Sequence, residues 1–240
     1  MNFPSIKITV WDFPLRLFHW LLVLSVAFAI ISGELGGNLM DWHERAGLLI
    51  LGLLAFRLLW GFIGTANARF CSFFPTLNRL RAYLDGEWRG YGHNPLGALS
   101  VIALLVILVG VTVTGLFAND DIASHGPLFD LVTKHTSDWM SGWHDRFYTM
   151  LLALVILHLL AIAWYAIFKK QNLVLPMLTG KKRVEHDEAA TPVMSSAWSV
   201  ALRFILAGAI SVAVVWSVAN GGQPFVEQSA PPPAVVTPEW

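Results

Sequence analysis

Long apolar stretches alternate with shorter polar ones along the whole chain. Five stretches approach or exceed the length of about 20 residues that lets an α-helix cross the hydrocarbon core of a bilayer. The predicted helices cover residues 14–31, 42–62, 95–117, 143–168 and 197–218. The pattern therefore predicts an all-α protein, with a transmembrane four-helix bundle followed by a fifth transmembrane helix.

Local signals refine these limits. Asp12 can cap the first helix, whose first turn contains Pro14, and the Asn94-Pro95 pair marks the start of the third. A short interfacial helix is predicted over residues 77–85, within the long second loop. We expect a membrane core over residues 1–183, a connector and fifth helix over 184–218, and a proline-rich tail over 219–240.

Composition agrees with a membrane protein: 55% of residues are hydrophobic, only 13% are charged, and the formal net charge is zero. The zero net charge gives no reason to expect a nucleic-acid partner. Cys71 is the single cysteine. An internal disulfide, a four-cysteine iron–sulfur site and a covalent C-x-x-C-H haem attachment are therefore excluded. We do not expect a cleaved signal peptide, because Asp12 and two prolines interrupt the region before the first apolar run.

Loop charge predicts the orientation. The loops after the second and fourth helices hold nearly all the loop arginines and lysines, so we expect them on the cytoplasmic side of a bacterial inner membrane. The N-terminus is then cytoplasmic, and the tail, with Glu227 and Glu239, is periplasmic. The third loop carries several aspartates against the single Lys134.

Histidines in the predicted helices are the main candidates for chemistry. His144 and His158 are fourteen residues apart, which places them on one helix face, within roughly 40° and roughly 21 Å apart along the axis. With the predicted orientation, His43 lies level with His144 near the outer face, and His19 lies level with His158 near the inner face. Ionisable residues at such depths usually mark a functional path.

Two imidazoles on facing helices can bind one haem iron from both sides. The four histidines therefore predict two stacked, noncovalent haem groups. Two axial histidines leave no open position for oxygen, which favours electron transfer over oxygen activation. The same four residues are the predicted metal ligands.

Haem propionates need cationic partners. Residues 42–45 and 143–146 repeat a Trp-His-acid-Arg pattern, so Arg45 and Arg146 could pair with propionates of an outer haem. Arg16, one turn before His19, and Arg57, level with His158, could do so for an inner haem. Alternatively, Arg16 and Arg45 could simply anchor helix ends at the interface.

Other interpretations stay open. A single intramembrane histidine could be a helix–helix hydrogen-bonding residue, although four at matched depths disfavour coincidence. A zinc site is possible, but two separated pairs lack the clustered ligands that zinc prefers. His93, before the third helix, could contact a quinone headgroup or lie at the surface. The remaining histidines are expected to be solvated: His125, His135 and His186.

Several motifs occur in the order of a known family. They are Trp11-Asp12 with Arg16 and His19-Trp20, His43-Glu44 with Gly47, Gly92-His93-Asn94-Pro95 with Gly97, Gly115-Leu116-Phe117 with Gly126-Pro127, and His144 with His158. Over about residues 6–183 the chain resembles the bacterial cytochrome b561 family, which includes the cytochrome b subunits of nickel–iron hydrogenases. The resemblance implies a four-helix di-haem core, noncovalent haem b, ligands at His19, His43, His144 and His158, and quinone-linked electron transfer.

The leading hypothesis is a membrane cytochrome that relays electrons between quinone or quinol in the lipid and a periplasmic cytochrome c. The acidic third loop would suit a basic partner. Two alternatives are a stand-alone quinone-linked oxidoreductase acting on a small oxidant, and the membrane anchor of a larger oxidoreductase such as a hydrogenase. A transporter is a distant fourth. The sequence leaves open whether the chain is an enzyme in its own right and whether it forms a homo-oligomer.

Overall fold

A computed structural model describes residues 5–88, 90, 92–122, 124–185 and 196–221. His186, which was predicted to be solvated, and most of the proline-rich tail lie outside these residues. The helices and strands run in this order: β1 (Ser5–Thr9), α1 (Phe13–Leu35), α2 (Met40–Ile63), α3 (Phe70–Phe73), α4 (Leu77–Leu84), α5 (Pro95–Gly115), α6 (Lys134–Ile167), α7 (Val174–Thr179), β2 (Lys181–Glu185) and α8 (Ala197–Ala219).

Five helices, α1, α2, α5, α6 and α8, are long and apolar enough to cross a membrane. Their most apolar windows have mean hydropathies of 2.0 to 2.8. Large apolar side chains project outward from them, such as Leu24, Phe62 and Ile156, as expected where lipid is the solvent. The predicted all-α multi-pass membrane architecture is confirmed.

Side-chain caps set the helix starts. Asp12 accepts a hydrogen bond from Leu15 N at 2.7 Å, and Asn94 accepts one from Gly97 N at 2.7 Å. Thr133 caps α6, so this helix begins at Lys134, nine residues before the predicted start. The polar residues at its start read as loop in the sequence. Ser137, fully buried, donates a hydrogen bond from its hydroxyl to Phe117 O, which fixes the extra turns against the preceding loop.

The helices pack as two hairpins, α1 with α2 and α5 with α6, and α2 also contacts α5 and α8. One apolar cluster, centred on Trp60 and Phe56, lies where β1 meets α1 and α2. A second lies farther along the bundle and contains Ile50, Leu108 and Leu151 from three different helices. These two clusters fix the relative positions of the hairpins.

A small sheet, which the sequence did not predict, joins β1 and β2 in antiparallel register, with Lys7 opposite Arg183. Asp12 strengthens the same end of the bundle, because its carboxylate also accepts hydrogen bonds from Trp60 Nε1 at 3.0 Å and Thr65 Oγ1 at 2.5 Å. The N-terminus, the loop after α2 and the segment after α6 therefore meet at one end of the molecule.

The fifth membrane helix packs on α2. Arg203 of α8 donates from Nη1 to Ile63 O at 2.8 Å and from Nε to Ser199 O at 3.0 Å. A Cβ on Gly52 would lie 2.9 Å from a methyl group of Val215, so the missing side chain lets α8 approach closely.

Candidate functional site

His43 of α2 and His144 of α6 come together from different hairpins. Their ring centroids are 6.1 Å apart and their ring planes are inclined by 80°. Both side chains are half-buried. The structure therefore brings these two predicted haem ligands next to each other.

A backbone carbonyl orients each of these rings. His43 Nδ1 lies 2.8 Å from Ala29 O on α1, and His144 Nδ1 lies 2.9 Å from Val111 O on α5. Because a carbonyl only accepts hydrogen bonds, each Nδ1 carries the proton. The lone pair of each neutral imidazole is then on Nε2, the nitrogen free to bind a metal.

His19 of α1 and His158 of α6 form a looser pair. They interact electrostatically across the bundle, but within the described residues no ring contact joins them. His19 Nδ1 is buried and makes no hydrogen bond to any described residue. The structure thus places this pair within electrostatic range without bringing its rings into contact.

Each Trp-His-acid-Arg repeat adopts the same local arrangement. The Arg45 guanidinium lies 4.8 Å from the Trp42 ring centre, and that of Arg146 lies 5.2 Å from the Trp143 ring centre. Both arginines are exposed. A cation over an indole face is held by the ring quadrupole, so each guanidinium rests on the tryptophan one turn earlier in its helix.

Arg57 is the most deeply buried charged residue in the described part of the chain, with 2% of its surface exposed. Its guanidinium lies 4.5 Å from the centre of the Phe70 ring, and its Nη1 has no hydrogen-bond partner among the described residues. Asp12 interacts with it electrostatically. A buried cation that is only partly compensated is costly unless an anion pairs with it.

Arg16 lies at the same end of the bundle, half-buried on α1. Its Nη1 donates to the carbonyl oxygen of Leu178, and its buried Nε is unpartnered within the described chain. Both arginines predicted for the inner level therefore have a buried nitrogen without a hydrogen-bond partner among the described residues.

His93 lies beside the inner pair. Its ring contacts Trp11 and Phe73, with centroid distances of 4.5 and 4.8 Å. Burial, followed by the nearby Arg57 cation, lowers the pKa of His93 to about 4, so the ring is neutral at physiological pH. It lines a cavity of about 330 Å³ together with Asn67, Ser72, Phe73, Arg79, Trp88, Gly90, Gly92 and Pro95.

The remaining described histidines are exposed. His125 stacks on Phe129 at 5.2 Å, and His135 lies in the first turn of α6. Within the described ranges, no group of three or more histidine, cysteine or acidic side chains could hold a metal ion.

Sequence reasoning found the histidines and arginines but not the groups that orient them. The carbonyls of Ala29 and Val111 belong to apolar positions without any motif. One signal was available, because a hydroxyl residue followed by glycine stands near the end of each preceding helix, at Ser32-Gly33 and Thr114-Gly115.

Comparison with known proteins gives a consistent result. The family described as "Prokaryotic cytochrome b561" matches residues 10–180. The chain is similar to proteins named "Probable Ni/Fe-hydrogenase B-type cytochrome subunit". The one from Azotobacter chroococcum mcd 1 is 27% identical over 74% of this chain and 89% of its own length. The one from Azotobacter vinelandii is 28% identical over 74% of this chain and 89% of its own length. The one from Bradyrhizobium diazoefficiens is 22% identical over 72% of this chain and 85% of its own length.

No solved structure matches the chain. The family match covers more than two thirds of the 240 residues, and it includes all four paired histidines and all five arginine and histidine side chains described beside them. With five apolar helices and this match, the protein belongs to the prokaryotic cytochrome b561 family, a multi-pass membrane electron-transfer protein that carries haem b.

Proposed function

We propose that this cytochrome relays electrons across the bacterial cytoplasmic membrane between quinone in the lipid and an oxidoreductase at the outer face. Two haem b groups, each held by two histidines, would supply reversible one-electron chemistry. The chain's own residues would bind these groups, fix their positions and shield them from water. The resemblance of the chain to hydrogenase cytochrome subunits and the pairing of its histidines support this proposal.

The contact between His43 and His144 carries the proposal. His43 and His144 would hold one metal through bonds of about 2 Å if their ring centres were roughly 6 Å apart. The observed separation is 6.1 Å. Both Nδ1 atoms are engaged by carbonyls, which leaves Nε2 on each ring as the ligand. The residues present therefore fit bis-histidine coordination of an outer haem.

The inner haem would be held by His19 and His158. The buried, unpartnered Nδ1 of His19 and the buried, unpartnered Nη1 of Arg57 are the polar atoms that such a group would satisfy. Arg57 and Arg16 would pair with its propionates, and each has a free donor for this purpose. Arg45 and Arg146 would serve the outer haem from their positions over the tryptophans.

The cavity beside His93 is the candidate quinone site. It combines aromatic walls, Phe73 and Trp88, with the polar side chains of Asn67 and Arg79, a mixture that suits a headgroup with a ring and carbonyl oxygens. A neutral His93, whose buried Nδ1 has no hydrogen-bond partner among the described residues, could hydrogen-bond to such a headgroup. The electrostatic influence of His19 and His158 on His93 supports a quinone site close to the proposed ligands of the inner haem.

The names of the relatives favour a hydrogenase-type enzyme as the redox partner. A periplasmic cytochrome c is the second candidate, argued from the acidic third loop. The structure weakens this charge argument, because Lys134 forms salt bridges with Asp121 and Asp138. We therefore place the hydrogenase-type partner first.

Haem content after histidine substitution tests the ligands. We expect the purified parent protein to bind two haems, His43→Ala to lose the outer one and His19→Ala to lose the inner one. His125→Ala, which removes an exposed histidine, is the matched control and should keep both. Two haems retained in either ligand variant would contradict the pairing.

The partner is tested by co-purification in mild detergent, followed by reduction of the haems with the captured enzyme's substrate. Reduction by hydrogen in the complex, but not in the isolated cytochrome, is the expected result. Turnover of a small oxidant with quinol by the isolated chain would instead favour a stand-alone enzyme.

A further inference from the structure

The two proposed ligands of the outer haem sit in matching surroundings. In each hairpin the histidine is on the second helix, and the first helix presents a carbonyl, a hydroxyl and a glycine within one turn. The two sets come from separate parts of the sequence, which share the Trp-His-acid-Arg pattern and a hydroxyl residue followed by glycine.

In the first hairpin, Ala29 O lies 2.8 Å from His43 Nδ1 and 3.2 Å from the Ser32 hydroxyl. The same hydroxyl also lies 2.8 Å from Phe28 O, so its proton is shared between two carbonyls. Ser32 is 1% exposed. A Cβ built on Gly33 would lie 2.9 Å from Nδ1 and 3.0 Å from Cε1 of the His43 ring.

In the second hairpin, Val111 O lies 2.9 Å from His144 Nδ1 and 3.0 Å from the Thr114 hydroxyl. This hydroxyl lies 2.7 Å from Gly110 O. A Cβ on Gly115 would lie 2.8 Å from Cε1 and 3.0 Å from Nδ1 of the His144 ring. The order of groups along the helix is the same in both hairpins: carbonyl, then hydroxyl three residues later, then glycine.

We propose that Ser32-Gly33 and Thr114-Gly115 are two copies of one positioning device for the outer haem ligands. The glycine leaves the space that the imidazole occupies, and the hydroxyl shares the carbonyl to which the imidazole donates. This inference rests on the proposed function, because it takes the two histidines as axial ligands.

The glycines fix the ring orientation. A methyl group at either position would come closer to the ring than ordinary carbon contacts allow, and the ring cannot simply swing aside because the carbonyl holds its Nδ1. Low-spin ferric haem with nearly perpendicular axial imidazole planes gives a strongly anisotropic electron paramagnetic resonance signal. The 80° inclination predicts such a signal for the outer haem.

The hydroxyls tune the basicity of the rings. A carbonyl that already accepts a hydroxyl proton is a weaker acceptor for the imidazole N–H, so the ring is less electron-rich. Removing the hydroxyl strengthens the imidazole bond and makes the ring a stronger donor to the metal. A stronger donor stabilises the oxidised iron, so the midpoint potential of the outer haem should fall.

The experiment compares five variants of the full-length protein in detergent. Ser32→Ala should lower the midpoint potential of the outer haem and leave the inner one unchanged. Its control, Ser25→Ala, removes a buried hydroxyl bonded only to Leu21 O on the same helix, at 2.8 Å. Gly33→Ala should change the anisotropic resonance signal, whereas Gly208→Ala adds a methyl group with nothing within 4 Å.

Thr114→Val repeats the potential test in the second hairpin with nearly unchanged shape, and it covers the case in which Gly33→Ala fails to fold. The midpoint potential of the outer haem could be equal in Ser32→Ala, Thr114→Val and Ser25→Ala while His43→Ala still loses a haem. That result would contradict the positioning device but not the proposed ligands. Retention of both haems in His43→Ala would overturn it together with the proposed ligands.

Discussion

His93 illustrates how a single residue can couple folding to pH. Its imidazole lies between the Trp11 and Phe73 rings and near the Arg57 cation, and these surroundings lower its pKa to about 4 from 6.5. Because the folded pKa lies below the unfolded one, folding favours the neutral ring. The resulting stability is complete above pH 6.5 and is lost as the pH falls toward 4.

We expect His93→Gln to make the protein less sensitive to mild acid. Between pH 7 and pH 5 the parent should lose on the order of 2 kcal/mol through this group, and the variant, which has no titrating ring, should lose less. Thermal unfolding in detergent at the two pH values measures the difference. His125→Gln, at an exposed ring, should behave like the parent. Equal acid sensitivity of parent and His93→Gln would contradict the assignment.

At the scale of residues, the sequence identified candidate site residues where the side chain itself is unusual for its position. An ionisable group in an apolar helix is rare, so His19, His43, His144 and His158 stood out, as did Arg57. The partners of these groups were not visible in the same way. Whether a carbonyl or a glycine faces a histidine depends on how two helices dock, and an apolar sequence leaves that register open.

At the scale of elements, the positively charged side chain of Arg203 links α8 to α2. Arg203 Nη1 donates a hydrogen bond to Ile63 O, a carbonyl at the end of α2 that helix geometry leaves free. Its Nε donates to Ser199 O on α8 itself. A positive charge at the end of α2 also complements the helix dipole. Arg203 thus joins the fifth membrane helix to the bundle that contains the paired histidines.

We expect Arg203→Ala to lower the stability by about 1–2 kcal/mol, which corresponds to a fall of about 2–8 °C in the unfolding temperature. The haem content should not change, because Arg203 contacts none of the paired histidines. Trp198→Ala, on the same helix but with its side chain 81% exposed, is the control. Loss of haem in Arg203→Ala would show instead that α8 supports the binding sites directly.

The limits of the helices and the small sheet show where prediction of single elements from the sequence fails. The apolar pattern located each membrane helix, but the start of α6 depends on the Thr133 cap and on Ser137 binding Phe117 O. These are tertiary contacts with a loop. Similarly, β1 and β2 are five residues each and far apart in sequence, and neither is strongly patterned alone. Only their meeting at one end of the bundle makes them a sheet.

At the scale of the whole molecule, charge and contacts agree on which loops share a side. The pairing of β1 with β2, and the bond from Asn67 Nδ2 to Val10 O at 3.0 Å, gather three polar segments at one end. The basic residues that the structure describes in or beside these segments are Lys7, Arg16, Arg69, Arg79, Arg81, Lys169, Lys170, Lys181, Lys182 and Arg183. The bias toward lysine and arginine predicts that this end is cytoplasmic.

The single cysteine allows this orientation to be tested without altering the protein. Cys71 is exposed in α3, in the loop that we expect on the cytoplasmic side. A membrane-impermeant maleimide added to spheroplasts should therefore leave it unlabelled until the membrane is permeabilised. The matched control carries Cys71→Ser with Ser124→Cys, which moves the thiol to the third loop and should react at once. Labelling of Cys71 in intact spheroplasts would invert the proposed orientation, and the cavity beside His93 would then open toward the periplasm, because the Cys71 loop and the His93 cavity share one end of the bundle.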